Sequence, residues 1–453
     1  MLTELEITDP ATGSAVGRLT PASESEVDNA VAVARRATID WCRTPAAARG
    51  AALRAAAATL RAGAGELAAI HQRETGRLRD EAEEAIGAGV STLEQYAELG
   101  PVHRGRSLQG DWSATDLMLA QPRGVVVALT PWNDPVAVAC GLLGAALVTG
   151  NTVVHKPSER CPHTGRRLGE LLAPSFPDGV LTTLTGGAET GAALAGHGDV
   201  DVVAHVGGTA TGRRIAEATA RTGAKALLEN GGNDPLLVDD NVDPAWAAEQ
   251  AALGAFANAG QVCVSVERIY VHQRIAREFL DALVTEARGW TDRLPPLVDR
   301  VHRDKVHAHV RAALDAGAEA LIGGRVPDGP GAWYPATVLA GCTPDMAVLT
   351  EETFGPVAPV VVVRDFAEGL AAAADGRYGL AATVLTADLR HAHEAYHTLP
   401  VGTVKVNAVF GGAPGGAAQP RGASGTGFGY GPELLDELTT TKVVHLTAPG
   451  GTG

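Results

Sequence analysis

Gly124-Val125-Val126-Val127-Ala128-Leu129 is a run of six residues without a polar side chain. It is too short for an ordinary helix and rich in β-branched residues, so it predicts a strand buried on both faces, as in parallel sheets. Runs of similar character recur at 152–155, 180–184, 202–206 and 226–228, with helix-like stretches between most of them. That alternation predicts an open, doubly wound α/β sheet. Upstream, the first hundred residues read as helices. Ser23 and Glu26 have capping-box spacing, Val27, Ala30, Val31 and Ala34 follow at helical intervals, and Leu53, Ala56, Ala57 and Leu60 mark a second helix. Downstream, strand-like stretches at 265–271, 359–363, 381–385 and 403–406 alternate with helical segments such as 276–287, predicting a second α/β unit. Residues 411–416 form a glycine-rich, irregular loop, and the strand-like tail 439–446 needs a sheet edge to pair with.

The length of 453 residues predicts two or three domains. Hydrophobic residues at 45% supply sizeable cores, and charged residues at 20% argue against disorder. A net charge of −15 argues against nucleic acid and anionic membrane as partners. Five scattered cysteines, Cys42, Cys140, Cys161, Cys263 and Cys342, lack paired spacing, so neither a disulfide framework nor a metal site is expected. Free thiols fit a reducing cytoplasm, and Met1-Leu2-Thr3-Glu4 does not open a secretory signal. No run is long and apolar enough to span a bilayer.

Several strand ends carry chemistry. The first runs into Thr130-Pro131-Trp132-Asn133; ligands gather at the carboxyl ends of such strands, so Asn133 is either an oxyanion donor or a turn residue holding backbone. The next ends His155-Lys156-Pro157-Ser158-Glu159, where a carboxylate suits a ribose diol and repels a 2′-phosphate. Gly207-Gly208-Thr209-Ala210-Thr211-Gly212 follows another strand and opens a helix, a placement that lets backbone N–H groups approach a pyrophosphate. Glu229 ends the next strand, before Asn230-Gly231-Gly232-Asn233-Asp234-Pro235. Phe256-Ala257-Asn258-Ala259-Gly260-Gln261-Val262-Cys263 sets one thiol behind an amide-rich turn of small residues. Taken singly, a buried cysteine is more often packing than catalysis, and a lone glutamate more often a solvated strand end.

Together, the phrase F-x-N-x-G-Q-x-C and Glu229, 34 residues before Cys263, resemble the active-site signatures of the aldehyde dehydrogenase superfamily. The resemblance covers nearly the whole chain: Glu74-Thr75-Gly76, Glu351-Glu352-Thr353-Phe354-Gly355-Pro356-Val357, Tyr378-Gly379-Leu380-Ala381 and Ser424-Gly425-Thr426-Gly427 fall in the family's order. It implies a Rossmann-like cofactor domain (1–106 and 123–232), a catalytic α/β domain (233–438) and a small oligomerisation extension (107–122 and 439–453), assembling as a homodimer or homotetramer. Cys263 is then the nucleophile, Glu229 the general base and Asn133 the oxyanion donor. Trp132, Lys156, Ser158, Glu159, Gly207, Gly208, Gly212, Glu352 and Phe354 face the nicotinamide cofactor. Glu159 tilts the choice toward NAD, and Arg160 beside it keeps NADP open. The chain departs from the family at Asn230 and Asn233, and at Gly208, where serine is common.

The implied reaction attacks a small-molecule aldehyde with Cys263, passes hydride to NAD, and hydrolyses the resulting thioester with water activated by Glu229. Asp134, Gly141 and Leu142 stand where bulkier or cationic residues are common, which predicts a more polar tunnel. Asp134 would receive an amino or hydroxyl group, and Arg421 an anionic tail, making the substrate an aminoaldehyde or a semialdehyde. Val262 offers no cation beside the nucleophile. Asn230 and the rearranged segment 411–423 motivate the alternative, a non-catalytic structural or NAD-binding protein on this fold.

Overall fold

The run at 124–129 forms the strand Val125–Thr130, with all six residues buried. The structure is a computed structural model that describes residues 4–412 and 416–449; residues 413–415 of the expected glycine-rich loop and 450–453 of the expected extension lie outside them. Successive side chains leave a strand on opposite faces. Val126 and Ala128 accordingly join a core with Leu53, Leu60, Tyr96 and Leu143, while Val125, Val127 and Leu129 pack with Val27, Val31 and Ile215 on the other side. Helices therefore cover both faces, as the continuous apolar run requires.

The strand lies within a six-stranded sheet ordered Gly425–Thr426, Lys225–Glu229, Val202–Val206, Val125–Thr130, Thr152–Pro157, Leu181–Thr183. All pairs are parallel except that made by the short Gly425–Thr426 edge. From Val125–Thr130 the chain builds outward on one side, then crosses back to place Val202–Val206 on the other. That reversal opens a crevice beyond the carboxyl ends of these two central strands, the usual ligand position in such sheets.

A second, seven-stranded sheet runs Glu319–Ile322, Thr337–Ala340, Val357–Val363, Val266–His272, Asp234–Val238, Ala381–Leu385, Thr403–Val406. Its alternation repeats the logic: Leu236, Val238, Ile269 and Val271 enter one core, Leu237, Tyr270 and Val384 the other. The expected α/β architecture is present in both sheets. Several elements differ from expectation. Asp234–Val238, near the middle of the second sheet, was hidden because an Asn-Asp-Pro sequence reads as a turn. The strands Glu319–Ile322 and Thr337–Ala340 also escaped, and the first hundred residues contain a hairpin, Leu5–Thr8 with Ala15–Leu19, besides their four helices.

The tail finds its edge. Thr439–Thr447 pairs along its whole length with Ala114–Pro122, which also pairs with Arg106–Leu108. This three-stranded sheet is mostly exposed on both faces. Among the described residues, no helix is long and apolar enough to cross a membrane.

Candidate active site

Cys263 follows a backbone that few sequences tolerate. Asn258, Ala259 and Gly260 all have positive φ, at 48°, 53° and 71°. Left-handed conformations cost L-residues free energy and persist only where the surroundings enforce them. Gly260 is the tightest point, because a Cβ there would overlap the Gly355 carbonyl oxygen. Gln261 locks the turn: its side-chain amide donates to the Asn258 carbonyl (3.0 Å), and its Oε1 accepts from Val298 N–H (2.9 Å). The amide-rich motif is thus a scaffold that aims the next residues.

Asn133 reaches this scaffold from the other sheet. Its Nδ2 donates to the Gln261 carbonyl at 3.1 Å, two residues before the thiol. An amide nitrogen carries two protons, so one remains for an oxyanion on the Cys263 side. Arg77 fixes the same segment, donating to the Asn133 carbonyl (3.1 Å) and lying 3.6 Å from Asp134. Gly76, left-handed at φ 77°, turns the chain to present that arginine. Arg77 escaped sequence reading, although Glu74-Thr75-Gly76 stands directly before it.

The sulfur meets solvent in the cleft, yet the protein around it is dense enough to disfavour charge. Burial first, then the neighbouring carboxyls of Asp234, Glu229, Glu352 and Asp134, push the thiol up to about 12. At neutral pH it is protonated, so attack needs a proton acceptor or a positive charge nearby. Lys405 is a cation whose field reaches Cys263, held by its 2.6 Å bond to the Val409 carbonyl. Inspection of the nucleophile's own loop could not have found it.

Glu229 ends its strand as expected. Burial raises its carboxyl to about 8, and a hydrogen bond from the Gly429 N–H opposes that rise. The Ser424-Gly425-Thr426-Gly427 segment holds this strand end: Gly425 pairs with Glu229, and Asn230 N–H donates to the Ser424 carbonyl at 2.8 Å. Gly232 passes between two oxygens, since a Cβ there would stand 2.7 Å from the Cys263 carbonyl and 2.8 Å from Asp234 Oδ1. Glu352 Oε1 accepts from Gly232 N–H at 3.0 Å, and burial raises this carboxyl to about 8 as well.

Phe354 is a third left-handed non-glycine residue, at φ 57°, close to Asn258 and Ala259 in conformation. The buried Glu267 carboxylate holds it, accepting from Phe354 N–H (2.7 Å), Thr353 N–H (2.9 Å) and Asn233 Nδ2 (3.1 Å). His302 Nε2 meets the Phe354 carbonyl at 2.7 Å, and burial depresses this imidazole to about 4, so it is a neutral donor there. Trp132, His302 and Phe354 form an edge-to-face triangle with centroids 5.5–6.0 Å apart. Asn233 and Glu267 form their own pair, so Asn233 is a structural member of this turn.

The end of the crevice expected to face the adenosine is equally ordered. Lys156 is buried, its ammonium donating to the Pro157 carbonyl (2.7 Å) and lying 3.8 Å from Glu159. Ser158 is buried and Glu159 exposed. Gly208 caps the helix Thr209–Thr222, and a Cβ there would meet nothing within 4 Å. Thr209 Oγ1 is buried without a protein partner beside these free N–H groups. An open helix N-terminus with an orphaned hydroxyl fits a phosphate. Gly212 is required for another reason, because a Cβ would overlap Asn230 Oδ1.

The two expected substrate contacts fare differently. Asp134 lies in the cleft region beside Asn133, held by Arg77, with burial raising its carboxyl and its charge felt by Cys263. Arg421 is exposed on the short strand Arg421–Gly422, paired with Tyr378–Gly379.

The sequence pattern of the aldehyde dehydrogenase family matches residues 2–444. The chain belongs to the aldehyde dehydrogenase family. Among its relatives is the 3,6-anhydro-alpha-L-galactose dehydrogenase of Vibrio sp. (strain EJY3), 33% identical over 97% of this chain and 95% of that protein. The NAD-dependent aldehyde dehydrogenase from Sinorhizobium meliloti superposes with a TM-score of 0.95 at 32% identity, covering 100% of this chain and 93% of that one. Betaine aldehyde dehydrogenase from Staphylococcus aureus, solved in complex with NAD+, also gives 0.95, at 28% identity over 99% and 93% of the two chains.

Proposed function

We propose that the protein oxidises an aldehyde to its carboxylic acid with NAD, through covalent intermediates on Cys263. The observation that carries this is the turn 258–263, which aims the thiol into the cleft while Asn133 docks on its Gln261 carbonyl. The thiol passes its proton through water to solvent as its sulfur bonds to the aldehyde carbon, giving a thiohemiacetal whose oxyanion meets the free Asn133 N–H. NAD held in the crevice would supply the hydride acceptor that turns this carbon into a thioester. Glu229 then leaves its Gly429 contact and takes a proton from water, whose oxygen bonds to the thioester carbon as the C–S bond breaks, freeing the acid and the Cys263 sulfur. Glu352, Phe354 and Trp132 border the nicotinamide end; Lys156, Ser158 and Glu159 the adenosine ribose; and Gly207, Gly208 and Gly212 the phosphates.

NAD is favoured over NADP because the exposed Glu159 carboxylate would repel a 2′-phosphate on the ribose. For the substrate, the reading is an aldehyde with a polar tail. Asp134 is already paired with Arg77, which favours a hydroxyl over a cationic amine at that point. The Vibrio relative, named for an anhydro-sugar, agrees with a hydroxylated substrate. The exposed three-stranded sheet suits a homodimer or homotetramer, since so thin a sheet buries little by itself.

The test is NADH formation with sugar aldehydes, aminoaldehydes and semialdehydes, repeated with Cys263→Ser. Turnover restricted to hydroxylated aldehydes, and abolished by the substitution, is the expected result. No NADH from any aldehyde by a chain that binds NAD would end the catalytic reading.

A further inference from the structure

Arg160 follows the strand Thr152–Pro157, and Gly208 follows Val202–Val206. Val125–Thr130 lies between these strands, and the Trp132 that follows it stands in the crevice. Neighbouring strands are spaced by about 4.8 Å, so the strand ends that lead to Arg160 and Gly208 lie about 10 Å apart, with the end that leads to Trp132 between them. An arginine side chain is long enough to cover much of such a distance. The Arg160 guanidinium carbon lies 5.3 Å from the centroid of the Trp132 ring. Its Nε is 2.9 Å from Asp299 Oδ2, across the cleft on the residue that caps the helix Arg300–Asp315. Apart from Asp299, no carboxylate is paired with Arg160 among the described residues.

We propose that Arg160 is a further cofactor-binding residue, closing its guanidinium on the diphosphate of the dinucleotide opposite the N-terminus of Thr209–Thr222. This rests on the NAD-dependent reading above and adds a residue to it. Gly208 adds no hydroxyl to that of Thr209, and one helix end supplies only about half a unit charge. A planar guanidinium supplies a full charge and a fork matched to two phosphate oxygens. Trp132 and Asp299 hold the side chain over the crevice before the dinucleotide arrives. The diphosphate is favoured over a 2′-phosphate as the partner, because the Glu159 carboxylate beside Arg160 repels a phosphate on the ribose.

The experiment is calorimetric titration of the protein with adenosine, ADP-ribose, 2′-AMP and NAD. Arg160→Gln is expected to weaken ADP-ribose and NAD about tenfold, or about 1.4 kcal/mol, leaving adenosine and 2′-AMP unchanged. Arg160→Lys should restore part of the loss. Asp299→Asn keeps a good helix cap while removing the charge, and should bind NAD as tightly as the wild type or more tightly. If Arg160 only ties the two sides together, Asn at 299 will cost as much affinity as Gln at 160, and the proposal fails. It fails equally if ADP-ribose is unaffected by Arg160→Gln, or if the loss appears only with 2′-AMP. A wild type that binds NAD but oxidises no aldehyde defeats the catalytic reading and leaves this one standing.

Discussion

At the scale of single residues, burial is the force that shapes reactivity. Glu229 carries a carboxyl raised to about 8, so much of it is protonated at neutral pH and cannot take a proton from water. Thioester hydrolysis should therefore rise with pH through about 8 and fall toward tenfold per unit below it, as single-turnover kinetics would read directly. Glu229→Gln should slow that step and flatten its profile; an unchanged profile would remove Glu229 as the base. The stability sign follows from the same shift. A folded value above the ordinary carboxyl range favours the native state below the unfolded value, and that contribution is lost as pH rises through about 8. Asn133 acts on a different step. Asn133→Ala removes the donor facing the oxyanion and should lower kcat by about 10²- to 10³-fold, with KM for NAD little changed.

At the scale of elements, two left-handed turns do most of the positioning, 258–260 before the thiol and Phe354 beside the cofactor cleft. The first was legible as a motif, because Asn and Gly are the residues that such turns select. The second was not, because nothing in Glu-Glu-Thr-Phe-Gly-Pro-Val announces that phenylalanine takes a positive φ. Its support comes from Glu267 and His302, distant in sequence and unremarked in it. Glu267→Gln keeps the size of the side chain but turns an amide donor toward N–H groups that need acceptors. We expect it to raise KM for NAD several-fold while KM for aldehyde moves little, with a fall in thermal midpoint reflecting about 1–3 kcal/mol. Equal changes in both KM values would mean that the turn serves the whole cleft.

At the scale of the molecule, the three-stranded sheet leaves Val443 and Leu446 more than half exposed, and Leu108 and Trp112 exposed beside them. Such an arm is stabilised when another copy covers it. Paired substitution of Val443→Glu and Leu446→Glu should shift sedimentation toward a smaller species without unfolding the two large sheets. An unaltered sedimentation coefficient would place the subunit contact elsewhere.

The sequence by itself determined the two α/β units and the family to which the chain belongs, and it singled out the thiol and the carboxylate on which the proposed reaction rests. Continuous apolar runs mark strands buried on both faces, and the motifs are strings of particular residue types in a particular order. It also marked Ser23 as a cap and the tail as a strand in need of an edge, since both signals are local. Only the tertiary structure decided that Arg77 anchors Asn133 and Asp134, that Lys405 comes within electrostatic range of Cys263, and that Asp299 engages Arg160. Each of these interactions joins a charged side chain to a partner far away along the chain. Their strength depends on distance and on how much water the fold removes, and neither quantity is written in the order of residues.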